Sequence, residues 1–248
     1  MNYLIPIFLL LSLGTALPTG HHAGSAPVII EQKDDLHMSW QYLLNNYLSR
    51  EGNVNYSGMK KEVSVLDTYL DVLADNVPAT ESSREEKMAY YINLYNAATV
   101  RLVLEHYPVK SIKDLEDPWD TEWIRVGDQK VSLGYIENQV LRKMDEPRIH
   151  FAINCASYSC PALSADAYRA DTLEEQLRDA TLTFIRDPRK NTIEADQLYI
   201  SAIFDWYRED FTGTGTLIDY LNRYTRVPVS KNATVKFKSY DWKLNDSN

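Results

Sequence analysis

The sequence is poor in the side chains that usually carry chemistry, with two cysteines and five histidines in 248 residues. One bridge at most can form, which excludes a disulfide-framed scaffold. Cys155 and Cys160 do not have the ligand spacing of a zinc knuckle, and no second His/Cys pair follows at the usual separation. Neither a metal nor another cofactor is therefore expected. Also missing is any run of Lys or Arg, and the formal net charge is −9. Such a field repels polyanions, which argues against nucleic acid and against an anionic membrane surface as partners. No apolar stretch reaches the roughly 20 residues of a spanning helix, so no membrane span is expected.

Charge is absent from one further place. Residues 1–16 carry no charged side chain, and the apolar run over residues 3–13 ends in Gly14-Thr15-Ala16, small residues suited to a signal peptidase. With the terminal amine as its only positive charge, this pattern predicts a signal peptide over residues 1–16 and export to a periplasmic or extracellular location. No cysteine lies near the cleavage point, so a lipid-anchored form is not expected. Residues 17–34 are polar and aperiodic and read as a linker, with His21-His22 as part of a solvated tail. Residues 35–248 then form a single domain, and 44% hydrophobic residues suffice for one large core.

Within that domain, apolar residues recur at helical spacing over residues 36–48 and 63–73. Ser82 with Glu85, or Ser83 with Glu86, makes a capping box before a long helical pattern through Met88, Ile92, Tyr95, Thr99 and Leu102, which Pro108 ends. Residues 124–131 alternate around Gly127-Asp128 as a hairpin. Ser132 caps a helix with Leu133, Ile136, Val140 and Leu141 as its apolar stripe. Helices are expected again over residues 173–185, 203–211 and 217–224, and short strands over 192–194, 198–201 and 234–238. Helices dominate the front half and strands the rest, so the fold class is α+β, with helices on a small, mostly antiparallel sheet.

The chemistry concentrates in His150-Phe-Ala-Ile-Asn-Cys155-Ala-Ser-Tyr-Ser-Cys160-Pro161, which holds both cysteines and one of the five histidines. A deprotonated thiol is a strong nucleophile, and imidazole is the side chain best suited to take its proton near neutral pH. Phe151, Ala152 and Ile153 read as a short buried strand, on which His150 and Cys155 would face opposite sides unless the chain bends near Asn154. Glu137 falls among the apolar stripe of its helix and needs a partner, which Arg148 or His150 can supply. Asn93 and Asn96, three apart on one helix face, can brace a loop or orient an imidazole. Asp210 is expected to cap or to form a salt bridge, with a catalytic acid role as the remaining alternative.

Four motifs in this order, Tyr91-Ile-Asn93-Leu-Tyr-Asn96-Ala, Ser132-Leu-Gly-Tyr-Ile-Glu137, Pro147-Arg148-Ile-His150-Phe-Ala-Ile-Asn-Cys155-Ala-Ser-Tyr-Ser-Cys160-Pro161 and Ile203-Phe-Asp-Trp-Tyr207-Arg-Glu-Asp210-Phe, resemble the bacterial branch of the domain-of-unknown-function 547 family. The resemblance spans roughly residues 35–245, with core motifs at 82–211 and the Tyr240-Asp-Trp-Lys-Leu-Asn245 tail. Asn138 stands where the family commonly carries a histidine after Ile-Glu. The family is remotely similar to papain-like and transglutaminase-like thiol enzymes. That similarity implies Cys155 as nucleophile, His150 as base and Glu137 as orienter, with Asn154 or backbone amides beyond Cys155 at an oxyanion. Asn93, Asn96, Asn154 and Ser157 are then the expected substrate contacts.

Two functional expectations follow. One is an exported thiol-dependent hydrolase or acyltransferase acting on an amide or ester bond of a peptide, protein or glycan. The other is a non-catalytic exported binding domain, in which His150 and Cys155 are packing residues or a Cys155–Cys160 disulfide closes the turn.

Overall fold

A computed structural model describes residues 35–247. The expected signal and linker, residues 1–34, lie outside the described residues. Helix α1 (Met38–Tyr47) is followed by the short α2 (Tyr56–Met59) and by α3 (Val63–Asp75). Next comes the long α4 (Arg84–His106), whose Ser83/Glu86 capping box is formed as the sequence predicts. From Met88 to Val100 only Tyr91 escapes full burial, so α4 is the central helix, covered all round. It collects Trp40, Leu43 and Leu44 of α1 and Leu66, Tyr69 and Leu73 of α3 into the first apolar core.

Strands β1 (Ile124–Val126) and β2 (Gln129–Val131) form the expected antiparallel hairpin. Gly127 sits in its turn at φ 59°, a conformation that glycine adopts without steric cost. Ser132 caps α5 (Leu133–Tyr135), which runs on as a π-helical turn over Ile136–Leu141. Then come α6 (Ile149–Ala152), α7 (Leu173–Ile185), β3 (Thr192–Ile193) and β4 (Gln197–Ile200). They are followed by α8 (Ile203–Trp206), α9 (Arg208–Thr212), α10 (Leu217–Leu221) and β5 (Thr234–Phe237). The second sheet has the order β3-β4-β5, antiparallel between β3 and β4 and parallel between β4 and β5. The architecture is α+β, with two small sheets and two of three strand pairings antiparallel. Among the described residues no helix is long and apolar enough to cross a membrane.

Two expectations need correction. The apolar run Phe151-Ala-Ile is not a strand: Pro147 opens a helical turn in which Ile149, His150 and Phe151 each donate to a carbonyl three residues back. Short apolar runs carry no period that separates strand from helix. Residues 203–211 are not one helix either, because Tyr207 leaves helical geometry (φ −111°, ψ 30°) between α8 and α9.

Helix α6 joins the two cores. Ile149 and Ala152 belong to the first, whereas Phe151 enters the second, its ring 5.1 Å from Phe184 and 5.6 Å from Phe211. The chain end closes this seam. Asn245 and Tyr158 N–H groups donate to Ala156 and Lys243 carbonyls, and Val54 N–H donates to Asn245, so the tail lies between the Val54 segment and the loop after Cys155.

Candidate active site

A cavity of about 420 Å³ opens where the two cores meet, lined among others by Glu137, His150, Cys155, Cys160, Tyr207 and Tyr240. Three of the expected site residues, Cys155, His150 and Glu137, thus face one space. The bend at Asn154 makes this possible. Its backbone N–H donates to Asn96 Oδ1 (2.8 Å), its side-chain Nδ2 to Pro161 O (2.7 Å), and its Oδ1 accepts from Ala156 N (2.8 Å). Ala156 then takes φ 58°, a left-handed conformation that costs a non-glycine residue roughly 1–2 kcal/mol.

This turn aims Cys155 Sγ at three hydrogen-bonding groups: Cys160 Sγ at 2.9 Å, Ser157 Oγ at 3.2 Å and Tyr240 Oη at 3.3 Å. Both cysteines are free thiols. The Cys160 bond is the largest influence on Cys155; with Ser157 and Tyr240 it outweighs burial and draws the thiol down to about 7. Cys160 moves the other way, because burial and its hydrogen bond with Cys155 hold it protonated. Hydrogen bonds to a charged form favour that form, so the pair concentrates thiolate character on Cys155.

His150 is buried and stacks on Tyr207, with ring centroids 3.9 Å apart. Its partner is Asp210, with Nε2 2.7 Å from Oδ2. Arg142 grips the same carboxylate through Nε (2.7 Å) and Nη2 (2.9 Å), and its Nη1 donates to Asn138 Oδ1. Burial opposes the charge on Asp210, but the bonds from His150 and Arg142 prevail and hold the carboxyl well below the usual range. An ionised Asp210 is an acceptor only, so His150 Nε2 carries a proton and Nδ1 is the ring nitrogen turned away from the carboxylate. No hydrogen bond joins His150 to Cys155 among the described residues.

The carboxylate bonded to the imidazole is therefore that of Asp210, and the expected Glu137–His150 pairing is not formed. Glu137 accepts instead from Tyr95 Oη (3.1 Å) and Tyr207 Oη (2.5 Å). Burial and then Glu137 push both tyrosines above their ordinary range, which keeps them donors. The π-turn accounts for the change: Arg142 N–H reaches back five residues to Glu137 O, so the stripe inferred from α-helical spacing is rotated and Val140 is only half-buried. Arg148, the other expected partner, is clamped by Glu146 and Glu174.

The expected substrate contacts lie elsewhere. Asn93 bonds both N–H and C=O of Tyr168, and Asn96 bonds Ala152 O and Asn154 N, so both amides brace backbone and neither lines the cavity. Asn154 shapes the turn, and Ser157 Oγ joins Cys155 to Tyr240 Oη (3.0 Å). For Asp210 the expected salt bridge is formed, to Arg142 and His150, whereas Arg142, Tyr240 and Trp242 were not expected at the site. Asp210 had a local signal in the aromatic-acidic segment it shares with Tyr207. The tail residues had none, since they reach the site only through the wrapped chain end.

This is an α+β fold with a thiol, an imidazole and a carboxylate at one cavity. The family model described as "Protein of unknown function, DUF547" matches residues 79–185, which supports membership of that family. No curated protein and no solved structure matches the chain. Among the described residues no group of three or more His, Cys, Asp or Glu side chains is placed to hold a metal ion.

Proposed function

We propose that this protein is a cysteine-dependent hydrolase or acyltransferase acting on an amide or ester, exported by its N-terminal segment. The observation that carries the reading is Cys155, its thiol drawn down by hydrogen bonds with three groups at a cavity it shares with a carboxylate-held imidazole. Cys155 Sγ attacks the carbonyl carbon, and the electron pair of the C=O bond moves to oxygen. Its return expels the amine or alkoxide, which takes up the proton that the Cys155 thiol passed to His150 Nδ1 before the attack, leaving a thioester on Cys155 and a neutral imidazole. Water, or an acceptor nucleophile, then attacks the thioester carbonyl while His150 takes its proton, and the thiolate departs. Asp210 is a positioning residue that holds the ring and stabilises the imidazolium. With the Asn154 amide and Ala156 N–H engaged in the turn, Tyr240 Oη is the donor beside Sγ best placed to meet the developing oxyanion.

An activated ester such as p-nitrophenyl acetate tests this by mass spectrometry of the intact chain. The expected result is an acyl group on Cys155 that forms and disappears in the native protein and persists in His150→Ala. Acylation unchanged in Cys155→Ser would overturn the reading. A second reading is favoured by the 2.9 Å between the sulfur atoms: a non-catalytic domain whose turn is bridged by Cys155 and Cys160 when an external disulfide or peroxide takes up two electrons and two protons. Peptide mapping without reductant would then recover the bridged pair.

A further inference from the structure

The cavity wall is one-sided in charge. Its side chains include six aromatics (Tyr95, Trp119, Trp206, Tyr207, Tyr240 and Trp242) and the carboxylates Asp120 and Glu137, but no lysine or arginine. Four of the rings form one continuous wall. Trp242 lies 5.8 Å from Trp206, 5.7 Å from Trp119 and 4.6 Å from Tyr240, with the Trp119 ring turned 68° to it. Trp206 is half exposed. The Glu137 oxygens already accept from two tyrosines, whereas the exposed Asp120 carboxylate has, among the described residues, no hydrogen bond or ion pair to another side chain. The wall already holds a cation from its own chain, Lys113 Nζ, 5.2 Å from the Trp242 centroid.

Aromatic faces carry negative quadrupole potential, and tryptophan attracts cations most strongly of the three rings. A substrate bearing carboxylate or phosphate would meet these faces and two carboxylates, while the nearby cations are already engaged, Lys113 on Trp242 and Arg142 with Asp210. A purely neutral one would leave Asp120 unused. We propose that the cavity selects amide or ester substrates carrying an ammonium group, held by Trp119, Trp206, Trp242 and Asp120 while the acyl carbon lies at Cys155. This assignment rests on the reading of Cys155 as nucleophile.

Matched haloacetyl esters separate the two claims. Bromoacetylcholine and its neutral carbon isostere, 3,3-dimethylbutyl bromoacetate, differ in charge and hardly in shape. Their rates at Cys155 are measured on the full chain by peptide mapping, each normalised to N-acetylcysteinamide and repeated at high salt, where the long-range pull of a net −9 chain is screened. We expect the choline ester to react about tenfold faster at high salt, and most of that advantage to vanish in Asp120→Asn. Equal rates, with Cys155 still fast toward iodoacetamide, would overturn the ammonium assignment and leave the nucleophile standing; a neutral substrate such as a glycan would then take its place. If Cys155 is inert to every reagent, the nucleophile reading fails. The cation site is still read directly in that case, by quenching of tryptophan fluorescence with benzyltrimethylammonium in Cys155→Ser. Saturable quenching that weakens in Asp120→Asn supports the site, and its absence overturns it.

Discussion

Tyr240 makes the sharpest case at the residue scale. Its hydroxyl contacts both Cys155 Sγ and Ser157 Oγ, and it is one of three groups that favour the thiolate. Burial and the two cysteines push Tyr240 far above the ordinary phenol range, so it stays a donor at every working pH. In Tyr240→Phe we expect the alkylation midpoint of Cys155 to move up while its pH-independent limiting rate is kept. Asp210→Asn should act differently, leaving that midpoint nearly in place because no bond joins His150 to the thiol. An asparagine amide directed at Nε2 would also favour the wrong tautomer. Its expected signature is slow turnover of the acyl-enzyme, measured as persistence of the acyl mass on Cys155.

The elements differ in how far their sequence could be read. The Ser83/Glu86 box, the Gly127-Asp128 hairpin and residues 173–185 were legible because cap, turn and apolar period all act within a few residues. Helix α6 was not, since Phe151-Ala-Ile suits either conformation and only Pro147 marked a helical start. The π-turn was hidden for a related reason. Periodicity assumes 3.6 residues per turn, and one wider turn moves Glu137 from His150 to Tyr95 and Tyr207. Asn96 ties α4 to the turn, so Asn96→Ala leaves Ala152 O and Asn154 N without partners and should cost about 3 kcal/mol, read from urea midpoints. Gly52, at φ 79°, lies so close to the loop after Pro161 that an added Cβ would sit 2.5 Å from Ala162 Cβ and 2.9 Å from Leu163 O. Gly52→Ala should therefore both destabilise the fold and weaken the cysteine turn.

The whole molecule brings together groups far apart in the chain, and this was least legible of all. Tyr240 lies 85 residues from Cys155 and Asp210 lies 60 from His150, so no local pattern links them. Acid stability depends on a buried group remote from the cavity. His37 is held neutral against Tyr69 Oη at 2.7 Å, and burial, with Arg169 adding to it and Asp35 opposing, lowers it from 6.5 to about 4. A folded pKa below the unfolded one means that the unfolded chain binds the proton first. The stability His37 contributes is thus complete above pH 6.5 and falls away between 6.5 and 4, by on the order of 3 kcal/mol. Urea midpoints across that window should drop in the native protein and stay flatter in His37→Asn, which retains an acceptor for Tyr69.

The proposed chemistry requires Cys155 to be a thiolate near neutral pH, made so by Cys160, Ser157 and Tyr240. Iodoacetamide alkylation across pH, mapped separately at Cys155 and Cys160 in reduced protein, tests it most directly. The expected midpoint for Cys155 is near 7, little changed in His150→Ala, with Cys160 unreactive throughout that range. A Cys155 that reacts only well above pH 8, or a Cys160 that reacts first, would contradict it.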